Sequence, residues 1–278
     1  MSKNGHKSPI HRSVPELAGL PRPLYARVES LPRSAATEWH SHPWAQLSYA
    51  IRGVLSVHTA RGRFLAPPQR AILVPPDLPH AVISSPATEM RSLYIERSAI
   101  PWVAEHCKVL EINPLTRELI NHFGSLPAEY DEHSADGRLV AVLLDQLQAA
   151  ADTGLFLPWP AEQRLQPLCE ALYRSPDLPD TLSDWAQQLA LSEKTLTRLF
   201  VQHTGLSFRA WRQRLRLLSA LPLLQQGERV TDVALACGYD STSAFIAAFR
   251  RHMGLTPSAF GEQPGEQPAN LRTPLARR

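Results

Sequence analysis

The feature that most constrains the fold of this chain is a repeat in its C-terminal half. Residues 181–200 (the first module) and 229–249 (the second module) align when Ala186 is placed on Ala234 and one residue is inserted before the final phenylalanine. Each module has the pattern of a short apolar helix, a tight turn and a second helix. Such a unit places its second helix in the major groove of DNA. The repeat therefore predicts two helix-turn-helix modules.

Polar residues indicate where these helices begin. Ser183 and Thr231 each precede an aspartate, a pattern that favours a helix N-terminus, so the first helix of each module is expected to begin there. The second helices are expected to start at Ser192 and Ser241. A glycine follows each second helix in the usual C-cap position.

Helical spacing separates a buried face from an exposed face on each second helix. The buried stripes are predicted to contain Leu196, Leu199 and Phe200 in the first module, and Phe245 and Phe249 in the second. The candidate DNA contacts are Lys194, Thr195, Thr197 and Arg198 in the first module, and Thr242, Ser243, Ile246, Ala247 and Arg250 in the second. The first set supplies hydrogen-bond donors for bases and phosphates, whereas Ile246 and Ala247 suit thymine methyl groups. We therefore expect the first module to carry most of the base readout.

A long helix is predicted between the modules, over residues 208–226. At 1.5 Å per residue it would be about 28 Å long, which suits two recognition helices about one DNA turn, ~34 Å, apart. Pro222 lies inside this segment, where proline removes a backbone donor and clashes with the preceding turn. A kink or an early break near Ser219 is therefore expected.

The region 162–260 resembles the DNA-binding domain of AraC/XylS-type transcription regulators. The resemblance lies in the segments Asp232–Tyr239, Ser243–Arg250 and Gly254–Phe260, and in the long arginine-bearing helix. It implies that six of the residues named above occupy base-contacting positions: Lys194, Thr197 and Arg198 in the first module, and Ser243, Ile246 and Ala247 in the second. Amphipathic helices with scattered arginines more often form ordinary bundles. The repeat and the absence of acidic residues from Lys194 to Arg216 favour DNA binding instead.

The N-terminal half has a different pattern, with short apolar or alternating runs from residue 24 to residue 94. Glycine and proline pairs separate these runs, as is typical of a small barrel or sandwich. Two helices, beginning near Pro114 and Ala135, are predicted to follow. The second of them is a candidate dimer interface, and it could equally pack on its own barrel.

A polar cluster is predicted inside this barrel. His40 and His42 share one face of a strand, and Gln46 and a later His80 could converge with them. The pattern resembles that of cupins, which AraC-type regulators often carry as a sensor domain. Metal-binding cupins usually have glutamate where this chain has Gln46, and a neutral amide is a weaker ligand. Two interpretations of the cluster therefore remain: a site for a divalent metal, or a metal-free set of hydrogen-bonded histidines. The sequence predicts no cofactor firmly. With Trp44 and Tyr94 the cluster forms the candidate effector pocket.

Together these patterns predict an α+β chain of two domains. The expected parts are a disordered N-terminus (1–20), a cupin-like β-barrel with flanking helices for sensing and dimerisation (21–153), a linker (154–160), an all-α double helix-turn-helix domain (161–260) and a disordered tail (261–278).

The expected function is a sequence-specific transcription regulator, a homodimer controlled by a small-molecule effector and acting on double-stranded DNA. The alternatives are a cupin-type metalloenzyme with a DNA-binding appendage and a constitutive architectural protein. No nucleophile–base pair or phosphate-binding glycine loop is found in the sequence, so we expect no enzyme. The three cysteines lie far apart in the sequence, which suits a reducing compartment. Neither a signal peptide nor a long apolar run is found, so we expect a cytoplasmic protein that does not bind a membrane.

Overall fold

The computed structural model describes residues 9–14 and 17–262, and its N-terminal half consists of two β-sheets, hereafter the barrel. The strands are β1 (Ile10–Arg12), β2 (Leu24–Leu31), β3 (Ala35–Thr37), β4 (Ala45–Arg52), β5 (Leu55–Thr59), β6 (Gly62–Ala66), β7 (Arg70–Val74), β8 (Ala81–Ser84), β9 (Thr88–Ile95), β10 (Lys108–Glu111) and β11 (Phe156–Pro158). One sheet has the order β1-β3-β8-β5-β6-β11, and the other has the order β10-β7-β4-β9-β2.

Strand alternation distributes side chains between the barrel interior and its outer faces. Leu55 and Val57 of β5 belong to an apolar cluster that also includes residues of β7, β9 and β10, so this cluster fills the space between the sheets. Ser56 and His58, at the alternate positions of β5, face outward. β4 is buried on both sides because its other face lies under two helices.

The helices α1 (Pro114–Phe123) and α2 (Ala135–Ala149) cover the outer face of the five-stranded sheet. Leu143 and Leu147 of α2 are buried in one cluster with Leu47 and Leu93 of the sheet. The apolar stripe of α2, formed by Leu139, Val142, Leu143 and Leu147, thus packs mainly on its own barrel. Only Val142 of that stripe is clearly exposed, at 44%.

Two segments predicted to lack structure are ordered strands. Residues 10–12, within the expected disordered N-terminus, pair in parallel with β3. The expected linker contains β11, which pairs antiparallel with β6. Both predictions failed for the same reason. A three-residue strand is too short to give a periodic signal in the sequence, and it is stabilised by the sheet edge that it joins. The predicted disorder of residues 1–8, 15–16 and 263–278 concerns parts of the chain outside the described residues.

The C-terminal half is helical and contains both predicted modules. Its helices are α3 (Gln166–Arg174), α4 (Leu182–Gln188), α5 (Glu193–Thr204), α6 (Phe208–Gln225), α7 (Val230–Ala236), α8 (Thr242–Met253) and α9 (Pro257–Gly261). The first helices begin earlier than predicted. Thr181 caps α4 in a capping box with Asp184. Arg229 occupies the N-cap of α7 without a side-chain cap and pairs with Asp232. Ser183 and Thr231 therefore lie within the first turns of these helices.

The predicted break near Ser219 is wrong, because α6 continues through Pro222 to Gln225. Tertiary packing explains the outcome, since Leu218, Leu221 and Leu224 are all buried around the proline. The burial of these residues offsets the roughly 3 kcal/mol cost of a proline in a helix interior.

The barrel and the C-terminal domain share one apolar cluster. Leu65 of β6, Leu157 of β11 and Trp211 of α6 all belong to it. Polar contacts extend this interface: the Arg63 guanidinium lies 4.1 Å from the centre of the Trp159 ring, and His58 Nε2 lies 3.1 Å from the Tyr173 hydroxyl. Across the described ranges, none of the helices combines the length and the apolar character that a membrane crossing requires.

Candidate nucleic-acid interface and ligand site

The exposed face of α5 holds the candidate base contacts of the first module. Ser192 caps the helix by accepting a hydrogen bond of 3.1 Å from the backbone N–H of Thr195. Leu196, Leu199 and Phe200 are buried, as predicted. Lys194, Thr197 and Arg198 are exposed, and Thr195 is partly buried. The face therefore presents two cationic side chains and a hydroxyl to solvent.

The matching face of α8 is much less polar. Ser241 caps this helix through the backbone N–H of Ala244 at 3.2 Å, and Phe245 and Phe249 are buried. The predicted contacts on the opposite face are Ser243, Ala247 and Arg250, which are exposed, and Thr242 and Ile246, which are partly buried. The two recognition helices thus share a geometry and differ in their chemistry.

The turns that set the angle between the helices have the same hydrogen bonds in both modules. Leu191 N–H donates to Ala186 C=O at 2.9 Å, and Tyr239 N–H donates to Ala234 C=O at 2.9 Å. The residue before each donor has a positive φ, 53° at Ala190 and 76° at Gly238. The backbone conformation is therefore conserved between the modules even though the residue type at this position is not.

Some of the basic residues between Lys194 and Arg216 support the fold instead of facing DNA. Arg212 of α6 donates to the carbonyls of Leu178 and Asp180, and Arg216 donates to Pro176 C=O at 3.0 Å. These two arginines hold the segment between α3 and α4 against α6.

Exposure reveals further candidate DNA contacts that the sequence reasoning missed. Val201 follows Thr197 by one turn of α5 and is 46% exposed, and Arg251 is exposed beside Arg250. The i, i+4 spacing from Thr197 to Val201 was the signal available for the first of them.

The second candidate site lies within the barrel, where the six residues of the predicted effector pocket come together. The ring centroids of His40 and His80 are 4.3 Å apart, and those of His42 and His80 are 5.2 Å apart. Trp44 stacks on His42 at 5.2 Å, and Tyr94 meets His42 edge-on at 5.7 Å. Gln46 Oε1 lies 3.0 Å from His42 Nε2. All of these residues except the half-buried His40 are buried.

Backbone carbonyls fix the protonation pattern of the three histidines. The Nδ1 atoms of His40, His42 and His80 lie 2.9, 2.9 and 2.8 Å from the carbonyl oxygens of Glu38, Trp44 and Leu78. A carbonyl can only accept, so each neutral imidazole carries its proton on Nδ1 and has a lone pair on Nε2. Burial lowers the pKa of His80 to about 3 and also lowers that of His40, so both are neutral at physiological pH.

This arrangement fits a transition-metal ion. One ring nitrogen from each histidine lies within 4.8 Å of the others. Metal-bound histidines usually donate their second ring N–H to a carbonyl or carboxylate, as all three do here. Buried His80 Nε2 has no hydrogen-bond partner among the described residues, and such a group is costly unless it is bonded.

Gln46 also allows a metal-free arrangement. With Nδ1 protonated, His42 Nε2 and Gln46 Oε1 are both acceptors at 3.0 Å. Rotating the amide by 180° lets it donate to His42 and accept from Ser48, whose Oγ lies 3.0 Å from the amide nitrogen. That rotation satisfies His42 and leaves His80 Nε2 unchanged.

Two groups of residues near this cluster were missed. Ser48 and Ser92 face each other across β4 and β9 and are fully buried. Ser48 shares the strand face of Gln46, so period-two alternation could have identified it. Arg12 of β1 pairs with Glu29 at 3.1 Å, and its electrostatic interactions with His40 and Tyr94 place it close to the cluster. It was missed because its segment was predicted to be disordered.

Comparisons with known proteins match both halves of the chain. The family profile described as an AraC-like ligand binding domain matches residues 27–148, and a helix-turn-helix domain profile matches residues 185–263. The HTH-type transcriptional regulator NimR of Escherichia coli (strain K12) is 35% identical over 221 residues, which cover 80% of this chain and 81% of NimR. RipA of Corynebacterium glutamicum is 36% identical over 103 residues, or 37% of this chain and 31% of RipA. A solved structure of ToxT from Vibrio cholerae aligns with 86% of this chain and 98% of its own, at 11% identity and a TM-score of 0.37.

A ligand-binding β-domain joined to paired helix-turn-helix modules defines a DNA-binding regulator of transcription. The chain belongs to the AraC family of transcription regulators.

Proposed function

We propose that this regulator reads its operator mainly through α5 and responds to an effector held in the barrel. The contrast between the two recognition helices carries the first part of the proposal. Lys194 and Arg198 can donate to guanine and phosphate oxygens, whereas Ile246 and Ala247 can contribute apolar contacts and shape.

The first test is a gel shift with the DNA upstream of the protein's own gene, at several salt concentrations. We expect a shift that unrelated DNA does not compete away. Arg198→Ala should lose about 1–3 kcal/mol of discrimination between the operator and a mutated operator. Arg174→Ala, an exposed arginine on α3, is the matched control and should retain full discrimination. Equal loss in both variants, or no specific shift by the unmodified protein, would contradict the proposal.

The effector site proposed for the barrel consists of His40, His42, Trp44, Gln46, His80 and Tyr94. Aromatic rings and a few buried polar groups are typical of sites that bind small molecules. An effector changes DNA affinity only if it binds the two conformations of the regulator unequally. In this proposal the barrel is a sensor and not an enzyme, and the protein acts in the cytoplasm. Its three buried free cysteines support a reducing compartment.

A divalent transition metal at His40, His42 and His80 is the second candidate for this site. Imidazole nitrogens suit zinc, nickel, copper and iron, and a metal with three protein ligands keeps a position open for an effector. Bound to the three Nε2 atoms, the metal would act as a Lewis acid toward that effector. The chain's own contribution is to hold the rings in place through the Nδ1–carbonyl hydrogen bonds.

Metal content and binding test this candidate directly. We expect about one metal ion per chain and a Co²⁺ absorption spectrum typical of nitrogen ligands. His80→Ala should lower the affinity at least ~10-fold, the smallest loss usual even for residues that only hydrogen-bond to a metal ligand. Exposed His122→Ala is the control. Stoichiometric metal together with turnover of a substrate would favour the metalloenzyme alternative, and equal metal binding by His80→Ala would exclude this site.

We further propose that the protein is a homodimer. Leu115 of α1 and Val142 of α2 are 54% and 44% exposed on the helical layer that covers the barrel. Val142→Glu should shift the mass measured by light scattering from dimer to monomer, whereas Val28→Glu, an exposed change on β2, should not. A monomeric unmodified protein would contradict this part.

A further inference from the structure

A cavity of about 250 Å³ lies within the barrel, beside β11, the strand that leads into the C-terminal domain. Its apolar wall includes Phe64, Leu78, Val109 and Phe156. The polar groups at its edge are Thr59, Arg61, His106 and Asp152. None of the residues of the proposed effector pocket lines it, although Leu78 joins the two sites because its carbonyl accepts from His80 Nδ1 at 2.8 Å.

The size and wall of this cavity suit an aromatic molecule. An apolar protein cavity of ~150 Å³ holds benzene, so 250 Å³ leaves room for a fused ring system. The rings of Phe64 and Phe156 stack with their centroids 4.7 Å apart. Another ring can pack in an offset or edge-on position against such a pair.

The charges at the edge of the cavity favour an uncharged occupant. Arg61 and Asp152 are both exposed and carry opposite charges, so neither sign of ligand charge gains a net attraction. Asp152 Oδ1 already accepts from Gly154 N–H at 3.0 Å. The guanidinium of Arg61 has no ion-pair partner within the described ranges, which leaves it available to a hydroxyl or ring substituent as a donor.

One wall of the cavity is connected to α6, the helix that joins the two modules. β11 lies so close to β6 that a Cβ at Gly62 would come within 2.0 Å of the Phe156 ring. Two residues further along β11, Pro158 C=O accepts a buried hydrogen bond of 2.7 Å from Trp211 Nε1 of α6. Trp159 N–H donates to Arg61 C=O at 2.9 Å. A displacement of Phe156 is therefore transmitted to α6 through a strand held on both sides.

We infer that this cavity is a second small-molecule site, for an uncharged aromatic compound, and that its occupancy changes DNA affinity through β11 and Trp211. The binding part stands on the cavity alone, whereas the effect on DNA rests on the proposed function.

Fluorine NMR tests binding with three probes of similar size. We expect 5-fluoroindole to broaden and shift in the presence of the full-length protein, and 4-fluorobenzoate and 4-fluorobenzylamine to bind at least fivefold more weakly. Val109→Phe, at a buried position, and Leu78→Trp, at a half-buried one, should each abolish binding by filling the cavity. Val103→Phe, in an adjoining cavity between β10 and α2 that shares only His106 with this one, is the matched control. No binding of the neutral probe, equal binding of all three, or binding that survives both filling variants would overturn the assignment.

Gel shifts with the same probe test the coupling. We expect 5-fluoroindole to change the operator affinity at least threefold. Trp211→Phe removes the hydrogen bond to Pro158 but keeps an aromatic ring beside Phe200, so it should bind the probe and lose the response. A full response in Trp211→Phe, or bound probe with unchanged DNA affinity, would overturn the coupling. If no operator shift occurs under any condition, the proposed function fails while the NMR result still decides the cavity.

Discussion

Individual side chains in this protein differ in how far their roles follow from the sequence. The outward positions of Lys194 and Arg198 follow from helical spacing alone, because buried leucines and phenylalanine define the opposite face. Arg12 and His58 carry no such signal. Each acquires its surroundings from an element distant in sequence, Arg12 from β2 and His58 from α3.

Acid sensitivity is a testable consequence at His58. Burial lowers the pKa of His58 to about 3, whereas the unfolded chain has the ordinary value near 6.5. Between these values the unfolded state binds a proton that the folded state does not, so stability falls as the pH drops below 6.5. At pH 5 the loss is about 2 kcal/mol, from 1.36 kcal/mol per pKa unit.

His58→Gln should remove this part of the acid destabilisation while keeping a polar partner for the Tyr173 hydroxyl. The measurement is urea unfolding at pH 7.5 and pH 5, where the difference in unfolding free energy should shrink in the variant. Exposed His122→Gln should behave like the unmodified protein. An unchanged pH dependence in His58→Gln would show that His58 is protonated in the folded state.

At the scale of elements, the sequence patterns of the two modules predict which segments are helical, but they predict the starting residues of only α5 and α8 correctly. The helices α5 and α8 begin after Ser192 and Ser241, as predicted, because serine caps are local hydrogen bonds. The start of α4 differs from the prediction because Thr181 and Ser183 compete as caps there. The start of α7 differs because its N-cap is Arg229, which makes no side-chain cap and so gives no sequence signal. Pro222 was misjudged because propensity is a local quantity, and the burial of its neighbours prevails.

The turn of the second module provides a prediction about glycine. Gly238 has φ 76°, and a Cβ there would lie 2.6 Å from an Arg216 nitrogen and 2.8 Å from Asp177 Cα. Gly227 has nearly the same φ, 79°, with nothing within 4 Å. Gly227→Ala should therefore cost only the backbone strain, about 1 kcal/mol, whereas Gly238→Ala adds an overpacking cost of about 1–3 kcal/mol.

Denaturant unfolding of both variants separates the two costs, and the gel shift shows whether the turn also sets the angle of α8. Gly238→Ala should weaken operator binding as well as stability, while Gly227→Ala should leave binding intact. Equal destabilisation of the two variants would show that Arg216 and the backbone of Asp177 give way without cost.

At the scale of the whole molecule, the barrel and the C-terminal domain are joined by a packed interface instead of a free linker. Trp159 lies at its centre, between the Arg63 guanidinium, Tyr173 and Trp211, and is only 7% exposed. Domains move independently unless the interface between them is large and hydrophobic, so this apolar contact is expected to make the two domains unfold as one cooperative unit.

Trp159→Ala tests this cooperativity. Removing a buried tryptophan costs about 3–5 kcal/mol, and here the cost falls on the interface. Calorimetry should show one transition for the unmodified protein and two for the variant. Trp39→Ala, at a site 55% exposed, should keep the single transition. Two transitions in the unmodified protein would contradict the expected coupling.

The sequence by itself determined the two modules, the exposed faces of their recognition helices and the set of histidines, because each depends on spacing within one helix or a few strands. The tertiary structure decided what lies beside these elements. It brought Arg12 to the histidine cluster, directed Arg212 and Arg216 to backbone carbonyls and turned the expected linker into a strand of the barrel. The physical reason is that these contacts join residues far apart in the chain. Their free energy comes from burial and sheet pairing that no local pattern records.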